Sequence, residues 1–84
     1  MENIYRLPIV LDPQPEGGWT ITCPVLPGLI TEADTMDEVV PHITDALEAL
    51  IELYEDLNQP LPNVLRPIGT AEPLYGETFI RLAA

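Results

Sequence analysis

"CPVLPGLITEADTMDEVV", residues 23–40, decides how this chain folds. Pro24, Pro27 and Gly28 crowd one short run, and residues that fix φ or lack a Cβ mark a bend. A strand therefore ends here, a turn follows, and residues 29–32 predict a short strand on the far side. Thr35, Met36, Asp37 and Glu38 then match a capping box. In that motif the Thr35 hydroxyl accepts the Glu38 N–H while the Glu38 carboxylate returns to the Thr35 N–H. A helix must open at this point.

Outward from that stretch, the helix is the longest regular signal. Val39, Val40, Ile43, Ala46, Leu47, Leu50, Ile51, Tyr54 and Leu57 recur at three- and four-residue spacing and predict an apolar stripe running to about Asn58. Pro41 is discordant. Inside a helix it removes one backbone bond and crowds the carbonyl of Asp37, so a kink is expected in the first two turns. Upstream, Trp19, Ile21, Cys23 and Val25 alternate with Thr20 and Thr22, the pattern of a strand with one buried and one wet face. Residues 12–18, rich in Pro and Gly, predict the loop back to an earlier strand over residues 4–11, where Tyr5, Leu7, Ile9 and Leu11 share a side. Pro8 there removes a ladder donor and points to an edge or bulge. Beyond Gln59 the chain reads as loop through Pro60, Pro62, Pro67, Gly69 and Pro73. A last strand is expected at residues 77–82, with Thr78, Ile80 and Leu82 alternating against Phe79 and Arg81. The order β-β-β-α-β predicts a two-layer α+β fold, one amphipathic helix on one face of an antiparallel sheet.

Composition bounds what such a fold can do. At 84 residues the chain has room for one domain, residues 1–84, since two halves would each bury too little surface to stand alone. Ten prolines and a net charge of −11 favour disorder, but a hydrophobic content of 46% arranged with clear periodicity favours a folded core. The single cysteine, Cys23, excludes a disulfide framework or a Cys-rich zinc site, and a small apolar role in a reducing cytoplasm is expected for it. No run is long enough to span a bilayer, and the N-terminus lacks the basic and apolar segments of an export signal, so a membrane partner is not expected.

The fourteen acidic residues face only Arg6, Arg66 and Arg81, with no lysine, and such a field repels phosphate backbones and anionic lipid. Direct nucleic-acid binding by the chain is therefore not expected, and a basic protein partner is. Asp45, Glu48, Glu52, Glu55 and Asp56 lie largely opposite the apolar stripe and are candidate partner-binding residues. Like charges such as Glu48 and Glu52 at i,i+4 cost a few tenths of a kcal/mol, roughly, which stability alone would not select. The plainer reading is a solvated helix face.

Catalysis finds little support. A two-metal nuclease needs carboxylates from several elements around one point, whereas Asp12 falls at a strand end, Glu38 is committed to the cap, and the last strand offers only Glu77 beside Arg81. His42 has no credible nucleophile beside it and is expected on the helix surface near Glu38 and Asp45. Trp19, Tyr5 and Tyr54 read as core or interface anchors. No cofactor or metal is called for, and the chain reads as no enzyme.

Taken with its flanks, "YRLPIVLDPQPEGGWTITCPVLPGLITEADTMDEVV" followed by "ITDALEALIELYEDLNQPLP" resembles the HicB family of antitoxins over residues 5–62. Cys23, Pro24, Leu26, Pro27, Gly28, Thr31, Asp34, Thr35 and Glu38 stand where the family motif expects them. Ala33 replaces the usual glycine before Asp34, and Pro41 replaces a helix former. The resemblance implies a partial RNase H-like domain in which the Pro-Gly bend is architectural. It further implies a type II toxin-antitoxin role, neutralising a small basic HicA-like mRNA-cleaving toxin. Such antitoxins frequently continue into a DNA-binding module. This chain stops at Ala84 with no helix after its last expected strand, so repression of the operon by this chain alone is not expected. Exposed sheet edges predict a homodimer or higher homo-oligomer. The alternative is an orphan HicB-like oligomeric module that binds proteins or small ligands without a toxin.

Overall fold

The computed structural model describes residues 3–69, 71 and 73–83. Strands β1 (Val10–Pro13), β2 (Trp19–Thr22) and β3 (Ile30–Ala33) form one antiparallel sheet in the order β1-β2-β3. A 3₁₀ turn, Met36–Glu38, leads into helix α1 (Val39–Asp56), and a second 3₁₀ turn, Asn63–Leu65, follows it. The register pairs Leu11 with Ile21 and Ile21 with Thr31, so alternate residues of the three strands share a face. Ile21, Ala33 and Val39 are buried together with Ile9, Leu11, Met36 and Ile43 around them, which shows the helix lying on that face. The three-stranded antiparallel sheet with one covering helix is the α+β arrangement the sequence predicts.

Its first strand is shorter and later than residues 4–11. Pro8 cannot donate to a ladder, and Ile4 instead forms an isolated antiparallel bridge to Ile68, whose N–H donates to the Ile4 carbonyl at 2.8 Å. Pro13, expected in the turn, belongs to β1 and pairs with Trp19. The loop between them closes through Gln14 N–H to the Gly18 carbonyl, with Gly17 and Gly18 both at positive φ. A Cβ on Gly18 would meet the Ala33 carbonyl oxygen at 2.7 Å, so this glycine answers to space as well as to φ.

The stretch that bends the chain is built as two successive turns. Leu26 N–H donates to the Cys23 carbonyl at 3.1 Å, and Leu29 N–H donates to the Leu26 carbonyl at 2.9 Å. Each turn holds a proline at its second position, Pro24 and then Pro27, where the fixed φ of the ring is already correct. Because both turns close over three residues, Cys23, Leu26 and Leu29 all face inward and are buried, while the residues between them are exposed. This corrects the expected alternation at Val25: β2 ends at Thr22, the period changes from two to three, and Val25 is left 52% exposed while Leu26 takes the core position. Leu65, from a segment read as plain loop, completes this second cluster with no exposed surface.

Pro41 breaks nothing. The first turn is 3₁₀ and the α ladder begins at Val39, so Pro41 falls in the first α-helical turn, where its N–H would be an orphan in any case. The change from 3₁₀ to α geometry falls within the two turns where a kink is expected. At the other end Asn58 adopts φ 57°, Asn58 N–H donates to the Glu55 carbonyl at 3.0 Å and Gln59 N–H to the Tyr54 carbonyl at 2.9 Å, a Schellman closure. Val40 and Leu57, assigned to the apolar stripe, are exposed. The fourth strand is absent: residues 77–82 pair with no other strand among the described residues, and Phe79, Ile80 and Leu82 are exposed. Alternation alone supplies no partner for a strand.

Candidate functional site

Helix α1 positions the acidic residues. At 3.6 residues per turn each step is about 100°, so Asp45, Glu48, Glu52, Glu55 and Asp56 fall within an arc of about 100°. All five are exposed, and no lysine or arginine occurs between Met36 and Asn58. Glu48 and Glu52, and Glu52 and Asp56, are like-charged neighbours at i,i+4. Glu55 and Asp56 stand in the last turn, which carries no basic residue, where the helix dipole disfavours negative charge. The arc is therefore locally unfavourable in the free protein, and it presents an open anionic surface.

Around the helix entry the motif residues divide. Asp34, Thr35 and Glu38 come together: the N–H groups of Asp34 and Thr35 both donate to Oε1 of Glu38 at 3.0 Å, and Thr35 and Glu38 close the capping box. Those two bonds, Thr35 first and then Asp34, hold the Glu38 carboxyl below its ordinary value. Cys23 and Leu26 are core, and Pro24, Pro27 and Gly28 form the exposed outside of the double turn. Gly28 lies against α1, for a Cβ there would meet Leu50 Cδ1 at 3.0 Å. Thr31 lines a shallow hollow beside His42 and Asp45. Ala33, in place of a glycine, is buried in β3 without positive φ, so the substitution strains nothing. The motif thus orders the sheet-to-helix passage and does not converge on the acidic arc.

His42 stands near Asp45 and Glu38, as expected, but is less open than a surface position. It is half-buried, and its Nδ1 lies 2.6 Å from the Glu32 carbonyl oxygen, which requires the proton on Nδ1. Gln14 adds a second long-range contact: its Nε2 donates to Thr20 Oγ1 at 3.0 Å and to Glu32 Oε1 at 3.1 Å, tying the first loop across the sheet. Neither contact has a local sequence signal, since each joins residues brought near only by the register. Asp12 lies in β1, Glu38 in the cap, and Glu77 in the C-terminal segment. Among the described residues no three His, Cys, Asp or Glu side chains could hold a metal ion together, and no helix is long and apolar enough to cross a membrane.

Residues 7–80 match the family model described as "HicB_like antitoxin of bacterial toxin-antitoxin system". The chain is 31% identical over 71 residues to UPF0150 protein ssr1765 of Synechocystis sp., covering 81% of this chain and 90% of that protein. It is 35% identical over 64 residues to Antitoxin HicB 1 of Photorhabdus laumondii, covering 76% of this chain and 41% of the relative. Against Antitoxin HicB of Escherichia coli the identity is 34% over 62 residues, covering 71% and 45%. The chain therefore spans most of the cyanobacterial protein and less than half of these two named antitoxins.

Proposed function

Since the chain belongs to the HicB-like antitoxin family of bacterial toxin-antitoxin systems, we propose that it binds and neutralises a small basic HicA-like mRNA-cleaving toxin. Its family is one of antitoxins, not of enzymes, and implies a toxin as partner. The toxin's class and the surface that meets it belong to our reading.

One observation carries it: five exposed carboxylates on one arc of α1 with no cation on the helix. A protein that cleaves mRNA must present lysines or arginines to phosphate, and those same cations are the complement of this arc. Covering them removes the toxin's grip on RNA, and encounter is faster at low salt. The site of action is then the bacterial cytoplasm, where mRNA is found, and residues 1–84 act as one HicB-like domain. The arrangement calls for no direct contact with nucleic acid. Self-association is part of the reading too. The cross-strand row of Val10, Thr22 and Ile30 lies on the sheet face away from α1, with Val10 and Ile30 exposed, and offers an apolar strip for a second copy.

Co-expression with the product of the neighbouring gene, followed by RNA cleavage with and without this protein, tests the reading. Protection of the RNA is expected. Changing Glu48, Glu52 and Glu55 together to Lys should abolish protection and weaken the complex most at low salt. Unchanged affinity at low salt would remove the arc from the interface, and sedimentation of the wild type gives the oligomeric state.

A further inference from the structure

Among the described residues strand β3 has β2 on one side and no strand on the other, and the parity of the ladder fixes which of its backbone groups point away from the sheet. Gln14 N–H bonds the Gly18 carbonyl across the first loop, and bonded and non-bonded pairs alternate along an antiparallel ladder. Asp12 with Thr20 and Val10 with Thr22 are therefore the bonded pairs of β1 and β2. Trp19 and Ile21 must then turn their N–H and C=O groups to Ala33 and Thr31. Glu32 and Ile30, the remaining residues, point theirs away from the sheet. The His42 contact agrees, because its imidazole reaches the Glu32 carbonyl from outside the sheet at 2.6 Å. On the opposite edge Leu11 and Pro13 face outward, and Pro13 has no N–H to offer.

We propose that the outer edge of β3 accepts an extended cationic segment of a protein partner as a fourth strand, which displaces the His42 imidazole from the Glu32 carbonyl and accepts the Glu32 N–H. This deepens the antitoxin reading and rests on it. Main-chain bonds set the register of such an added strand, and side chains beside the edge select its chemistry. Those side chains are Glu32 and Asp34 on the chain itself and Asp45 on the facing helix, with no lysine or arginine in the hollow they border. A second copy would set the same carboxylates against each other, whereas a lysine- or arginine-bearing strand would neutralise them. His42 is the placeholder that keeps the carbonyl bonded while the edge is empty.

The test compares Glu32→Pro with Glu32→Gln in titrations against a small basic HicA-like toxin protein, at fixed low salt. Glu32→Gln removes the charge and keeps the backbone. Glu32→Pro additionally removes an N–H that no bond inside the sheet uses. Loss of the strand-pairing bond is expected to weaken binding about tenfold beyond the Gln variant. His42→Ala, which removes the competitor for the carbonyl, should bind no more weakly than the wild type. Should the proline variant fold poorly, amide exchange on the wild type gives the same answer, for the Glu32 amide must become protected in the complex. Equal binding by both Glu32 variants, or an amide that exchanges equally fast free and bound, overturns the edge proposal. If the helix charge reversal still weakens the complex in that case, the antitoxin reading stands without it. Protection that develops with protein concentration in the absence of partner would identify a second copy as the occupant and overturn the cationic one. If the wild type binds no basic partner at all, both readings fall together.

Discussion

Residues 23–29 and residues 73–83 are both short, rich in apolar side chains and outside regular secondary structure, yet they behave oppositely. In the first, Cys23, Leu26 and Leu29 are buried and the backbone closes two hydrogen-bonded turns. In the second, Leu74, Tyr75, Phe79, Ile80 and Leu82 are all exposed. Apolar content is common to both. The first segment also has prolines at the second position of each turn, a three-residue period that aims every third side chain inward, and α1 and Leu65 to receive them. Burial needs a direction set by the backbone and a surface to meet, and the C-terminal segment has neither among the described residues.

Matched substitutions test that contrast, and the largest effect belongs to Leu29. With no exposed surface in the wild type, Leu29→Ala should cost about 3–5 kcal/mol, from lost transfer energy and the cavity left behind. The urea midpoint at constant slope reads it. A loss under about 1 kcal/mol would mean that the double turn collapses around the gap and is less committed to the core than its burial indicates.

The glycines make a second pair. At Gly28 a Cβ would sit 3.0 Å from Leu50 Cδ1, whereas at Gly76 nothing lies within 4 Å. Neither has positive φ, so the comparison isolates space from backbone strain. Gly28→Ala should therefore destabilise by about 1 kcal/mol as Leu50 gives way, and Gly76→Ala should be neutral or slightly stabilising because it restricts the unfolded chain. Equal effects would show that the approach of the double turn to α1 is loose.

How far the sequence reveals this architecture follows from the range of each signal. The helix start at Thr35 and Glu38, its end at Asn58 and the middle of its inward face are set by residues three or four apart and are legible, while Val40 and Leu57 at the two ends of the stripe are exposed. Strand limits are not, because they depend on partners. Whether Pro13 can join β1 turns on which way its missing N–H would face, and that is fixed only by pairing with Trp19. Residues 77–82 alternate well and still form no strand, since a strand needs a neighbour. The same division holds for the candidate site. The acidic arc of α1 follows from helical geometry alone, while the bond from His42 to the Glu32 carbonyl spans a strand-to-helix contact that no periodicity encodes.

The start of α1 adds a smaller, pH-dependent difference. Glu38 has its carboxyl lowered from an ordinary 4.5 by the Thr35 and Asp34 N–H groups, so its contribution is fully present above that value and is lost as pH falls through the lowered one. The stability difference between wild type and Glu38→Gln should thus be present at neutral pH and shrink steadily in the acid range below 4.5. A difference that stays constant with pH would assign the effect to helix propensity, leaving the two N–H bonds without weight.

The smallest effect should come from the C-terminal segment, and there the contrast is most open to refutation. Leu82 is 84% exposed and Ile80 is 74% exposed. Replacing a side chain that is mostly exposed removes little burial, so Leu82→Ser and Ile80→Ser should each move stability by no more than about 0.5 kcal/mol. If either change costs as much as a core substitution in dilute protein, the segment packs on its own chain in solution. If the cost grows with protein concentration, the side chains are buried against another molecule, because only binding makes apparent stability depend on concentration. Either result would give residues 73–83 the receiving surface that distinguishes residues 23–29, and the difference between the two segments would then lie in where that surface comes from.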